Sequence, residues 1–80
     1  MKLPVIRSLA ENYSVEELKH AEEAILNEQQ PAFEVLGEDE GEKLTHVISA
    51  LAVKEDIAQN GVELRVALRN YAERVRKSIS

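Results

Sequence analysis

The run GEDEGEKLTH, Gly37 to His46, places four carboxylates in the five positions from Glu38 to Glu42 and follows them with an imidazole. Carboxylates and imidazole in so short a span are the ingredients of a divalent-cation site. A calcium loop of the EF-hand type needs oxygen ligands at alternate positions, a glycine at the sixth and a bidentate glutamate at the twelfth. The window EDEGEKLTHVIS places Lys43 sixth and Ser49 twelfth, so it does not fit. Entry into a helix accounts for the same acids. Asp39 stands where an N-cap belongs, Glu42 follows three residues later, and Glu40 and Glu42 fall in the first turn, where negative charge meets the positive end of the helix dipole.

The histidines offer a second route to a metal. Glu42 and His46 are one helical turn apart, and Glu16 and His20 repeat that spacing. Two such pairs on facing helices would supply four ligands, which is how metal sites are built inside helical bundles. The di-iron pattern, however, uses i, i+3 pairs with further glutamates, and neither is evident here. Both pairs are read as surface pairs of the kind common on solvated helices, and no metal or cofactor is expected.

Nucleophilic chemistry finds no footing. Ser8, Ser14, Ser49, Ser78 and Ser80 lack the G-x-S-x-G context that exposes an activated hydroxyl. Gly37, Gly41 and Gly61 form neither G-x-G-x-x-G nor a P-loop. The absence of cysteine excludes disulfides, thiolate zinc sites and thiol catalysis. These exclusions predict a protein that is not an enzyme.

Cationic side chains raise a different possibility. EDIAQNGVELRVALRNYAERVRK looks like a helix-turn-helix, with Ala58 ending one helix, Gly61 in the turn, and a second helix bearing Arg65, Arg69, Arg74, Arg76 and Lys77. The motif's A-x-x-x-G spacing is one residue short, because Ala58 to Gly61 reads A-x-x-G. At about 100° per residue, Arg65, Arg69 and Arg76 share an arc of about 40°. They flank the helix's apolar stripe, where alkyl stems cover a core and the charged heads stay wet. Contact with nucleic acid through these three is the alternative reading, and it is disfavoured by a net charge of −5. That charge is uneven: residues 1–40 carry 3 basic and 10 acidic side chains, and residues 41–80 carry 7 and 5.

The elements that must position these residues are helical. LPVI at the start puts Pro4 at the first helical position and Val5, Ile6, Leu9 and Ala10 on one face of a segment from Pro4 to Glu11. SVEE places Ser14 and Glu17 in a capping box, opening a second helix whose Val15, Leu18, Ala21, Ala24 and Ile25 recur at helical spacing until Pro31 turns Gln30 away from helical geometry. A third helix is predicted from Glu40 to Gln59, with Leu44, Val47, Ile48, Leu51, Ala52 and either Ile57 or Ala58 inward, stopped by Asn60 and Gly61. The fourth runs from Glu63 to Ser78 with an apolar stripe of Leu64, Ala67, Leu68, Tyr71, Ala72, Val75 and Ile79.

Between the second and third helices, residues 30–39 read as an extended linker. AFEVLG alternates as a short strand would, but a lone strand has no partner. Phe33, Val35 and Leu36 are its anchors to the core and the candidate interface with another chain. One 80-residue domain of this size buries roughly 60% of its unfolded surface and is marginally stable. The fold class predicted is therefore all-α, a single four-helix domain over residues 1–80 whose third and fourth helices form an antiparallel hairpin, functioning as a small interaction module that forms a homo-oligomer. Arg7 interrupts the first apolar run, so no signal-peptide or membrane-spanning pattern appears, and a soluble cytoplasmic protein is expected.

Both ends of the chain, MKLPVI at Met1–Ile6 and NGVELRVALRNYAERVRKSI at Asn60–Ile79, resemble a family of short, uncharacterised bacterial proteins of Bacteroidetes-type lineages. The resemblance covers about a third of the chain. It implies a small cytoplasmic helical domain and no particular activity.

Overall fold

The computed structural model describes residues 2–79, with side chains through Lys77. Four helices follow one another: α1 (Leu3–Asn12), α2 (Val15–Leu26), α3 (Glu40–Asn60) and α4 (Leu64–Ile79). No strand forms among the described residues, so the linker is extended loop.

The helix ends follow local chemistry. Ser14 Oγ accepts from the Glu17 N–H at 3.1 Å and Glu17 Oε1 from the Ser14 N–H at 2.9 Å, completing the capping box. Asp39 Oδ1 accepts from the Glu42 N–H at 2.8 Å and opens α3. Gly61, at φ 63°, closes α3 in the left-handed conformation, its N–H donating to the Ile57 carbonyl.

α2 ends four residues before the point expected from Pro31. Glu28 adopts φ 59°; its N–H donates to Ile25 and the Gln29 N–H to Ala24 at 2.7 Å. That pair of bonds is a Schellman stop with glutamate in place of the usual glycine.

α3 is the centre of the domain and packs against all three other helices, while α1 also touches α4. Its 21 residues span about 32 Å, matching the longest dimension of the molecule, 32 × 28 × 17 Å. Two hydrogen bonds fix α1 on it: Lys2 N–H to His46 Nε2 and Lys54 Nζ to the Ala10 carbonyl share one sequence offset of 44 residues, so α1 runs parallel to α3. α4 runs antiparallel, because Ser49 Oγ meets the Tyr71 hydroxyl at 2.7 Å and Asp56 and Ala52 lie level with Asn70 and Arg74. The expected hairpin of α3 and α4 is thus present.

The core comprises Ile6, Leu9, Ala10, Leu18, Ala21, Ile25, Val35, Val47, Ala50, Val53 and Ala67. On α3 the inward face differs from the expected one. His46, Ser49, Ala50 and Val53 are buried along with Val47, whereas Ile48 is 44% exposed. Ile57 packs on the core and Ala58 is exposed. A helix flanked by three neighbours buries more of its circumference than one apolar stripe, and its polar members must then find partners. Ile79, expected on the stripe of α4, lies outside the described side chains.

Candidate functional site

The residues with potential chemistry gather at the end of the bundle where α3 begins. His46 is the centre of this end and is wholly buried, at 0% exposure, which corrects its reading as half of a surface pair with Glu42. Its Nε2 lies 3.0 Å from the Lys2 backbone nitrogen and its Nδ1 2.8 Å from the Leu36 carbonyl oxygen. An N–H can only donate and a carbonyl can only accept, so the ring is neutral with its proton on Nδ1. Neither nitrogen is left for a metal or a proton-transfer role. Glu42 does not coordinate with it: one carboxylate oxygen accepts from the Glu38 N–H at 3.0 Å. That bond, with Lys2 close by, holds the Glu42 carboxyl below the ordinary glutamate range. Among the described residues no group of three or more His, Asp or Glu side chains is placed to hold a metal ion. His20, of the other pair, is exposed on α2.

One imidazole therefore ties the start of α1 to the linker. Leu3, next to Lys2, is 41% exposed, and Leu36 is 56% exposed. Leu26, at the adjoining end of α2, is 62% exposed, and its neighbour Ile25 lines a cavity with Val35, Glu40 and Lys43. Three of the large apolar side chains open to water thus lie at one end of the domain. Of the three linker residues expected at an interface, Val35 is buried in the domain's own core and Phe33 stacks on Tyr13 with ring centroids 3.7 Å apart. Leu36 is the one that faces outward.

The linker is pressed tightly to α3. A Cβ on Gly37 would lie 2.8 Å from Lys43 Cγ and 3.0 Å from its backbone nitrogen, so only glycine permits this approach. The position of Leu36 is fixed on both sides, by the His46 bond before α3 and by Gly37 after it.

The cationic residues are spread along α4. Arg65 pairs with Glu63 at 3.2 Å on the exposed surface. Arg69 borders a groove of about 490 Å³ between α1 and α4, beside Leu3, Pro4 and Leu68. Arg76 is exposed near the end of α4. Arg74 sits over the Tyr71 ring, 5.7 Å from its centroid. α3 and α4 lie side by side as far as Ser49 and Tyr71, unlike the steep crossing of a helix-turn-helix. The three arginines share an edge of the helix, but no recognition helix stands clear of its neighbour.

Sequence reasoning missed His46, Ser49, Lys54 and the Tyr71 hydroxyl as the polar contacts that join the helices. His46, Ala50 and Val53 do recur at helical spacing, a signal masked by the polarity of histidine. Among the described residues no buried side-chain polar atom lacks a partner, and no helix is long and apolar enough to cross a membrane.

No curated protein and no solved structure matches the chain. A family model described as a family of unknown function, DUF6952, matches residues 1–80, a span that includes the middle segment as well as the two ends, and the chain belongs to that family.

Proposed function

We propose that the protein is a small cytoplasmic interaction module that self-associates and has no catalytic activity of its own. The observation that carries this reading is the rigid apolar end: Leu3 and Leu36 stay open to water although the backbone beside each is fixed by His46. Apolar side chains scattered singly need no explanation, but clustered ones held in place on a small domain mark an interaction surface. The polar interior supports the absence of catalysis. His46 and Ser49, the buried polar residues, are both engaged in bonds that hold elements together.

Sedimentation velocity across the micromolar range tests the proposal. A dimer that grows with concentration is expected. A 9 kDa species alone at every concentration would overturn it.

A further inference from the structure

The groove between α1 and α4 satisfies most of its polar groups from within. Arg7 Nε donates to Glu11 at 2.8 Å, and Asn12 Nδ2 donates to the carbonyl and hydroxyl oxygens of Ser8 at 2.9 and 3.2 Å. Arg69 is the exception. It is exposed on the α4 side of the groove and has no hydrogen-bond or ion-pair partner among the described residues. The rest of the lining, Leu3, Pro4 and Leu68, is apolar, and Leu3 is 41% exposed. What the groove lacks is therefore an apolar cover and an anion. Two guanidinium groups against one carboxylate make it locally cationic on a chain of net charge −5.

Its shape narrows the occupant. The α1 side is lined at positions 3, 4, 7, 8, 11 and 12, a helical repeat that follows α1 from end to end, so the groove runs along the helix for about 14 Å. An elongated occupant fits such a surface, and a helix returns its side chains to it at the same period. The apolar floor gives nothing to a phosphate backbone, and the net charge opposes the dense charge of a duplex.

We propose that this groove docks a short amphipathic helix of a partner protein, about two to three turns long, with apolar side chains against Leu3, Pro4 and Leu68 and a carboxylate on Arg69. Arg65 and Arg76 share the Arg69 edge of α4 within an arc of about 40°, which extends the same sign along the helix and favours an acidic flank on the partner. The proposal goes beyond self-association and does not depend on it. A helix this short is marginal in water, so the partner segment orders as it docks and the complex is weak and reversible.

A synthetic peptide of about twelve residues tests this, with leucine at helical spacing along one face and glutamates flanking it. Titrated into the full chain labelled with nitrogen-15, it should shift the amides of Leu3, Arg7, Leu68 and Arg69 and gain helicity by circular dichroism. Arg69→Glu should weaken binding by about tenfold or more, and a peptide with lysine in place of glutamate should bind that variant better than it binds the parent. Leu3→Gln, checked for unchanged helical content, should weaken the glutamate peptide without altering any charge. Equal binding of the glutamate and lysine peptides to the parent, no effect of Arg69→Glu, or shifts confined to α2 and α3 would each overturn the proposal. Tighter binding of a short random DNA duplex at the same groove and physiological salt would replace it with the nucleic-acid reading. Shifts of the same amides on dilution of the protein alone would make a second copy the occupant and overturn it as well.

Discussion

His46 and Lys54, eight residues apart on α3, hold opposite ends of α1: the imidazole accepts the Lys2 N–H at 3.0 Å and the ammonium donates to the Ala10 carbonyl at 3.0 Å. A ten-residue helix is too short to be stable in isolation. Its ends carry unpaired donors and acceptors, and α1 has no side-chain cap at Lys2 and no basic residue in its last turn. α3 supplies both missing partners. α1 is thus shaped by a neighbour 44 residues away more than by its own capping sequence.

Replacing His46 by Leu should be costly for this reason. The Lys2 N–H and the Leu36 carbonyl would lose their partner together, at about 2–4 kcal/mol for the two groups. Urea denaturation should show this loss, and His46→Gln, which keeps one donor and one acceptor, should recover part of it. A loss under about 0.5 kcal/mol for His46→Leu would mean that the bridge contributes little.

Lys54→Met keeps the apolar stem and removes the ammonium. The expected loss is about 0.5–1.5 kcal/mol, from one charge-assisted bond at a helix C-terminus. Hydrogen exchange gives a sharper reading: amides in the last turn of α1 should exchange faster, and those in α2 should not. Uniform acceleration across both helices would point to a global effect instead.

Where the fold was legible in the sequence, a few neighbouring residues decided the matter. Ser14 with Glu17, Asp39 with Glu42, and Gly61 each close a backbone bond within four residues, so the helix boundaries they set were readable. The inward face of α3 was not, because which side of a helix is covered depends on how many neighbours it has. Leu44, Val47, Ile48 and Leu51 form a good stripe, yet three flanking helices bury His46 and Ser49 and leave Ile48 at the rim. The same holds for the candidate site. The acidic run and Leu36 were visible as residues, but the tie of Leu36 to the start of α1 follows from the burial of His46 between them.

Glu28 shows a local signal that was absent. The Schellman stop requires a left-handed residue, and the sequence offers neither Gly nor Asn at that position, so nothing marked it. A side chain there costs about 1 kcal/mol. Glu28→Gly should accordingly raise stability by about 0.5–1 kcal/mol, measured as a shift of the urea midpoint at constant slope. A destabilised variant would indicate that the glutamate side chain itself holds the loop.

Asp39→Ala removes the cap that opens α3 and should cost about 0.5–2 kcal/mol. The loss should be the same with calcium, magnesium, zinc or chelator present, since the carboxylate serves the Glu42 N–H. Stabilisation of the parent by one of these cations that vanishes in Asp39→Ala would reveal a site by mass action on the folded state.

Glu42 gives the acidic run a pH dependence of defined sign. Its carboxylate accepts the Glu38 N–H, and this bond first, then the nearby charge of Lys2, lowers its pKa in the folded protein. A carboxyl whose pKa is lowered by folding contributes stability that is fully present above its unfolded value and is lost as pH falls through the folded one. Glu42→Gln keeps an oxygen acceptor for the Glu38 N–H but removes the charge. The parent should therefore be more stable than Glu42→Gln at neutral pH, by a margin that narrows below the ordinary glutamate range and closes once the parent's carboxyl is protonated. Thermal unfolding of both proteins through that acidic range measures the margin directly. A margin that stays constant with pH would show that the linker bond does not depend on the charge of Glu42, and that the turn before α3 is held by Asp39 and the Gly37 approach alone.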